Sequence, residues 1–474
     1  MQVIDYQLTR VYAKIKKFFV EAEMDFFSDI LSKLGGDYVD VFFEEKITNQ
    51  LQMEENKVQK CSSVFDEGLG VRVIRDDKTF YAYTNDLTKK GIEELISSLK
   101  NMKSKNIINL KKINPSINFP IKTNPNELAI SEKINFLKRA NDVSWKESPN
   151  IKQVKVLYGD SFQKIIIANS EGALTEEERI HTLFLIHVVA YENGIIQTGY
   201  EVIGGLKGLE IFEENSPEEL SLKATKRALM MLKARRIKGG RMPVVISSEA
   251  GGTMIHEAVG HGLEADLVQE GLSVYSDKLG KRFASEFITV IDDPTLPNMR
   301  GSYVFDDEGT PSQRTVLVEK GVLVNYLYDK YTAMKEGKSS TGNGRRQSYE
   351  HYPIPRMSNT YIAPGNHSPE DIIRSVEKGL FVKKMGGGQV NTVTGEFVFE
   401  VQEGYIIEKG AIGEPVRGAL LIGTGQEVLK NIDMVGNDLG FSIGTCGKNS
   451  QGVPVTDGMP TLRIPEIVVG GEVE

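Results

Sequence analysis

Two imidazoles and a carboxylate fall within six residues at His256-Glu257-Ala258-Val259-Gly260-His261, in a chain that has only six histidines. Neutral imidazoles ligate a divalent ion and an adjacent carboxylate can move protons, so these are the parts of a water-activating metal site. The spacing is one residue longer than the His-Glu-x-x-His that sets two zinc ligands on one helix face. On an ideal helix, at about 100° per residue, His256 and His261 would stand about 140° apart, too far round to share an ion. The spacing therefore predicts that the helix widens into a π-type turn or ends between them. Gly260 and Gly262 are read as supplying the backbone freedom this needs.

A hydrolytic zinc site takes three protein ligands and leaves one position for water. Glu264, Asp266, His351 and Cys446 are the candidates for the third. Cys446 stands in Gly444-Thr445-Cys446-Gly447, where flanking glycines let the backbone bring a thiolate close to another element. A set of two histidines and one cysteine would leave the ion one net positive charge, enough to polarise water and a carbonyl. Glu257 then has a defined role, base toward the attacking water and proton donor to the leaving amine. Arg345, Arg346 and Arg356 are candidates for a substrate carboxylate or an oxyanion, with surface arginines as the alternative. His351, beside Tyr349 and Tyr352, is a candidate for the cleft wall.

The whole chain must position these groups. Its 474 residues suit two or three domains with a large core. A net charge of −8 speaks against a general nucleic-acid binder, though not against a small local basic patch. Two cysteines, Cys61 and Cys446, make no disulfide framework and fit a reducing compartment. Cys61, in an alternating strand, is expected to be a buried small hydrophobe. No run approaches the roughly 18 apolar residues of a membrane span, and the apolar run after Lys17 is too short for a signal-peptide core. The expectation is a cytoplasmic protein. Residues 1–23 form a leading helix or an extension ahead of a domain that begins near Met24. Gly337-Lys338-Ser339-Ser340 is no phosphate loop, because Thr332 stands where its first glycine is required.

The fold class expected is α+β. Residues 24–236 make an N-terminal domain that reads helix, strands, helix, then a linker or wrapping loop at 104–129, then the same order again. That repeat admits a structural duplication. Its first block has strands at 38–43, 50–54, 57–65, 68–75 and 78–84, separated by Glu-Asn, Asp-Glu-Gly and Asp-Asp turn signals. The second has strands at 151–158, 162–169, 177–192 and 195–203, and closes with a helix opened by Ser216-Pro217-Glu218-Glu219. Residues 237–474 read as a β-rich domain carrying the motif helix. Strands are expected at 242–248, 288–292, 313–320, 323–328, 396–408 and 411–421, a helix at 369–379, and a hairpin or flexible cleft wall at Gly386-Gly387-Gly388.

The His256-Glu257-x-x-x-His261 motif with the late Gly-x-Cys-Gly resembles the TldD branch of the TldD/PmbA family of zinc peptidases. Tyr275-Ser276-Asp277-Lys278-Leu279-Gly280, Asp306-Asp307-Glu308-Gly309-Thr310, Pro355-Arg356-Met357-Ser358-Asn359-Thr360 and Gly413-Glu414-Pro415-Val416-Arg417 resemble it too, so the likeness runs from about Met24 to the C-terminus. The resemblance implies a metallopeptidase acting on unfolded peptides or small protein segments, with Zn2+ held by His256, His261 and Cys446. It also implies an enclosed cleft and a dimer, either with a second copy or with a sister subunit that lacks the motif. Nothing points to nucleic acid or to a membrane. Two other readings stand beside it: a peptide-binding or assembly subunit with a structural metal, and a metal hydrolase of a non-peptide substrate.

Overall fold

The structure is a computed structural model that describes residues 23–99, 108–391 and 393–471. The expectations for the leading segment before Glu23 and for linker residues 104–107 lie outside the described residues.

The first block opens with helix α1 (Glu23–Ser32), which buries Phe27, Ile30 and Leu31 at helical spacing. Strands β1 (Tyr38–Glu54), β2 (Lys57–Arg75) and β3 (Lys78–Thr84) follow, and helix α2 (Lys89–Ser98) closes the block. The second block is helix α3 (Ile130–Glu147), strands β4 (Ile151–Asn169), β5 (Ala173–Glu192) and β6 (Ile195–Gly205), and helix α4 (Pro217–Lys233). Glu55-Asn56, Asp76-Asp77 and Asn193-Gly194 all take positive φ, as two-residue hairpin turns require. Ser216 and Glu219 form the capping box expected at the start of α4.

The two meanders join through their first strands. β1 pairs antiparallel with β4 from Asp40–Asn169 to Glu54–Lys155, giving the order β3-β2-β1-β4-β5-β6. Each block's helices cover their own end of this sheet, and each makes its own apolar core. The repeated element order thus becomes a near two-fold arrangement about the β1–β4 pair.

Several expected short strands are in fact long ones. The Asp66-Glu67-Gly68 stretch, read as a turn, lies within β2, where Tyr349 packs so close to Gly68 that a Cβ would collide with its ring. The glycine marks a close approach rather than a turn. Gly159 likewise lies inside β4. Cys61 is exposed, not buried, because β2 extends beyond the end of β3 and leaves Lys57–Cys61 without cover.

The second half holds strands β7 (Gly240–Ile246), β8 (Val290–Asp292), β9 (Thr315–Glu319), β10 (Asn359–Ile362), β11 (Lys378–Val390), β12 (Glu396–Glu408), β13 (Leu420–Thr424), β14 (Gly440–Lys448), β15 (Gln451–Met459) and β16 (Leu462–Gly470). β11, β7, β16, β13 and β12 pair in a closed ring. A second sheet runs β9-β8-β10-β15-β14, with β15 parallel to β10 and β14 at the edge. The His-Glu segment lies in the apolar core between them, with Ile255, Val259 and Leu263 fully buried.

Here too the sequence expectations need correction. The helix expected at 369–379 ends at Arg374, and the three glycines at 386–388 lie within β11, one arm of the β11–β12 hairpin. Of the strand expected at 323–328 only the first residue is one, and Gly418, at φ +73°, splits the one expected at 411–421.

The two halves are locked by buried ion pairs. Arg72 of β2 contacts Asp40 at 2.6 Å and Glu308 at 2.7 Å, Arg346 contacts Asp40 at 3.1 Å, and Arg179 contacts Asp307 at 2.7 Å. Removing one partner from such a network leaves a charge buried alone, typically at a cost of about 3–5 kcal/mol.

Candidate metal centre

The segment begins as an α-turn at Thr253–Ile255, widens to a π-turn over His256–Gly260, and tightens at His261–Leu263. The His261 amide donates to the His256 carbonyl, the five-residue bond that defines the widening. This is the geometry the six-residue spacing demanded. The glycines serve a different end from the one expected. Gly260 has ordinary right-handed helical angles, φ −54° and ψ −54°. It is glycine because the Met357 sulfur sits where a Cβ would be, and at Gly262 a Cβ would lie 2.6 Å from the Tyr275 ring. Tyr275 Oη donates to the Ala258 carbonyl at 2.9 Å and Ser273 Oγ to the Gly262 carbonyl at 2.6 Å, satisfying acceptors that the irregular helix leaves free.

The β14–β15 hairpin folds back onto this segment and brings Cys446 to the two histidines. One ligand atom from each of His256, His261 and Cys446 lies within 4.8 Å of the others. The Cys446 sulfur is 3.3 Å from His261 Nε2, and the two imidazole rings stand nearly perpendicular, at 89°. His256 Nδ1 is buried with no hydrogen-bond partner. An orphaned nitrogen, a second imidazole and a thiol at this separation fit a tetrahedral zinc ion with one position left for water.

Electrostatics favour the ligating form of Cys446. Burial pushes the Cys446 thiol up, but hydrogen bonds from His256 and His261, and their charge, outweigh it and bring it down to about 5. The thiolate is therefore present at neutral pH. Burial opposes charge on His261 as well, yet Glu264 and Cys446 hold its pKa well above the usual histidine range. The proton this holds on His261 balances the Cys446 thiolate, and a metal bound there would displace it.

Glu264 and Asp266 are not brought in as the third ligand. Glu264 sits on the far side of the His261 ring, 2.9 Å from Nδ1, which leaves Nε2 facing Cys446. Burial pushes the Glu264 carboxyl up, but Lys448 and then His261 hold it at about 2. Asp266 is paired with Lys448 at 2.7 Å. His351 is not gathered with the triad; its Nδ1 lies 3.1 Å from Ser348 Oγ, in a segment packed against the N-terminal sheet. Arg356 is wholly buried, with Nη2 donating to the Cys446 carbonyl at 2.5 Å and Nη1 to the Gln451 carbonyl at 3.3 Å. It staples the hairpin and has no terminal nitrogen free for substrate, which corrects the expectation. Arg345 is buried on the carbonyls of Met357 and Pro454. Glu257 shares the π-turn with His256, is half-exposed, and among the described residues carries no ion pair.

Two contributors escape a reading of the sequence alone. Lys448 follows Cys446 by two residues, hence on the same face of β14, and that period is the available signal. Asp457 of β15 accepts from the Gly252 amide at 3.2 Å and so ties the start of the motif helix to the hairpin. Burial pushes its carboxyl up, and the nearby charge of His256 opposes the shift.

The chain is similar to known proteins over most of its length. Three family models match in order: PmbA/TldA metallopeptidase domain 1 over residues 39–103, the central domain over 123–232 and the C-terminal domain over 239–471. A metalloprotease TldD homologue of Haemophilus influenzae is 36% identical over 456 residues, covering 94% of this chain and 95% of its own. A zinc metalloprotease TldD homologue of Saccharolobus solfataricus is 31% identical over 443 residues, with coverage of 93% and 98%. The crystal structure of TldE from Thermococcus kodakarensis superposes with a TM-score of 0.73 at 19% identity, covering 95% of this chain and 99% of that one. That last similarity shows the fold alone.

Proposed function

Since the chain belongs to the PmbA/TldD metallopeptidase family, we propose that it is a zinc-dependent peptidase that hydrolyses unfolded peptides or small protein segments. The observation that carries this reading is the convergence of His256, His261 and Cys446 beside a half-exposed Glu257. His256, His261 and Cys446 would hold Zn2+, which would supply Lewis-acid polarisation of water and of the scissile carbonyl. Glu257 accepts the proton of the attacking water and delivers it to the leaving amine. Glu264 fixes the His261 tautomer through Nδ1, and Arg356 fixes the backbone at Cys446. The edge strand β14 offers a row of main-chain groups to an extended substrate, which gives affinity with little sequence preference.

The same reading includes a dimer, with a second copy or a family paralogue. The part of β2 beyond β3 supports it, since Val64 and Phe65 are exposed there on an unpaired edge. Scarcity of cysteine supports a cytoplasmic setting, and among the described residues no helix is long and apolar enough to cross a membrane.

The test is to incubate the zinc-loaded protein with a mixed pool of unstructured peptides, with and without chelator, and read the products by mass. Fragments that vanish with chelator support the peptidase. A pool left intact by fully zinc-loaded protein points instead to a binding subunit with a structural metal.

A further inference from the structure

Behind the hairpin that carries Cys446 lies a cavity of about 370 Å³, bounded on the other side by β4 and β5. Thr445, Gly452 and Pro454 form the hairpin wall. Successive strand residues point to opposite faces, so Thr445 faces this cavity while Cys446 faces the triad.

The chain carries a net charge of −8, yet this cavity is cationic. Asp160 and Asp307 supply its carboxylates, and both are matched, Asp160 by Lys133 at 2.6 Å and Asp307 by Arg179 at 2.7 Å. Arg346 is engaged by Asp40 at 3.1 Å. Arg300 and Arg345 differ from these: among the described residues neither has a carboxylate at ion-pair distance. Arg300 donates through Nε to the Gly444 carbonyl at 3.1 Å, which leaves both terminal nitrogens. Arg345 gives its terminal nitrogens to the Met357 and Pro454 carbonyls, and its Nε is buried without a partner. Thr182 Oγ1, also in the lining, is buried and unpartnered. Burial, and then the charge of Arg345, bring Arg300 down to about 10. Two guanidiniums that disfavour each other at a partly dry site are stabilised by an anion between them.

We propose that this cavity is a carboxylate-binding site in which the terminal nitrogens of Arg300 hold the anion against the rear face of the Cys446 hairpin, with the buried charge of Arg345 behind them. Planar guanidiniums match carboxylate oxygens in pairs. The carboxylate belongs either to a peptide end or to a free small dicarboxylic acid. The site is independent of the peptidase chemistry.

The experiment is calorimetric titration of the zinc-loaded full chain at low ionic strength. The probes are succinate, N-acetyl-dialanine, the C-terminal amide of that peptide, and inorganic phosphate. The expected result is saturable binding of at least one carboxylate probe. Arg300→Gln should weaken it about tenfold or more, as loss of a charge-assisted hydrogen bond does. Succinate binding identifies a free acid as the occupant, and preference for the peptide acid over its amide identifies a peptide end. Thr445→Glu, which adds a carboxylate to the wall, should weaken binding as well and decides the matter if Arg300→Gln misfolds. The proposal is overturned if no carboxylate probe binds, if phosphate alone binds, or if the folded variants bind as the wild type does. Hydrolysis is assayed in parallel. Failed titration with intact zinc-dependent hydrolysis removes the anion site alone, whereas lost hydrolysis with intact titration removes the peptidase alone.

Discussion

Glu264 and Lys448 lie 3.0 Å apart, the glutamate wholly buried, and this ion pair joins the two sequence-distant halves of the candidate metal centre. Glu264 orients His261 from the motif segment, and Lys448 is two residues beyond Cys446 on the hairpin. Glu264→Gln should weaken zinc binding about 10- to 100-fold, the usual effect of losing a carboxylate behind a ligating histidine. Lys448→Met should cost about 3–5 kcal/mol of stability, because Asp266 would then stand beside the Glu264 carboxylate with no cation of its own. Chelator competition and denaturant unfolding measure the two effects.

Cys446 is the proposed ligand that the motif itself does not supply. Elemental analysis should find about one zinc per chain in the wild type and little in Cys446→Ala, since two imidazoles alone do not complete a hydrolytic zinc set. Full occupancy in the variant would assign the third position to another residue.

Gly260 tests why the segment needs glycine. Its φ of −54° is open to any residue, so Gly260→Ala should fail by collision with Met357, at about 1–3 kcal/mol. Met357→Ala in the same chain should recover part of that loss. Absence of any recovery in the double variant would return the explanation to the backbone.

Asp329 carries a pH effect away from the metal. Burial, and then the charge of Glu308, push its carboxyl up, and although Arg72 opposes them it reaches about 7. A folded-state pKa raised above the unfolded one means the folded chain holds a proton that the unfolded chain has released. The associated stability is present below the ordinary carboxyl range and is lost as pH rises through about 7. Asp329→Asn, which keeps an oxygen for the Thr332 amide at 2.8 Å, should therefore flatten the fall in unfolding midpoint between about pH 5 and about pH 8. A slope equal to that of the wild type would contradict the assignment.

Much of this arrangement is legible in the residues. The interval from His256 to His261 forces a widened helix, because helical geometry leaves no other way to bring both rings together. The repeated element order exposes the two blocks, but the β1–β4 pairing that fuses them is not readable, since registry between distant strands leaves no local signature. Glu264 stands out in the sequence as a ligand candidate, yet in the fold it orients His261 instead. Spacing shows that a carboxylate is near an imidazole, not which side of the ring it takes. Arg356 misleads for a similar reason, because an arginine on backbone carbonyls has the same sequence signature as one that awaits an anion. The strands that carry Cys446 escape detection, as β14 holds glycines at 440, 444 and 447 and lacks a clean alternation.

The central claim is that Glu257 performs acid–base chemistry beside a zinc held by His256, His261 and Cys446. The most direct measurement is peptide hydrolysis by zinc-loaded Glu257→Gln, with metal content determined on the same sample. The account predicts about one zinc per chain and a rate lowered by about 10²- to 10⁴-fold, the usual contribution of a positioned acid–base group. Wild-type hydrolysis with zinc retained would contradict it.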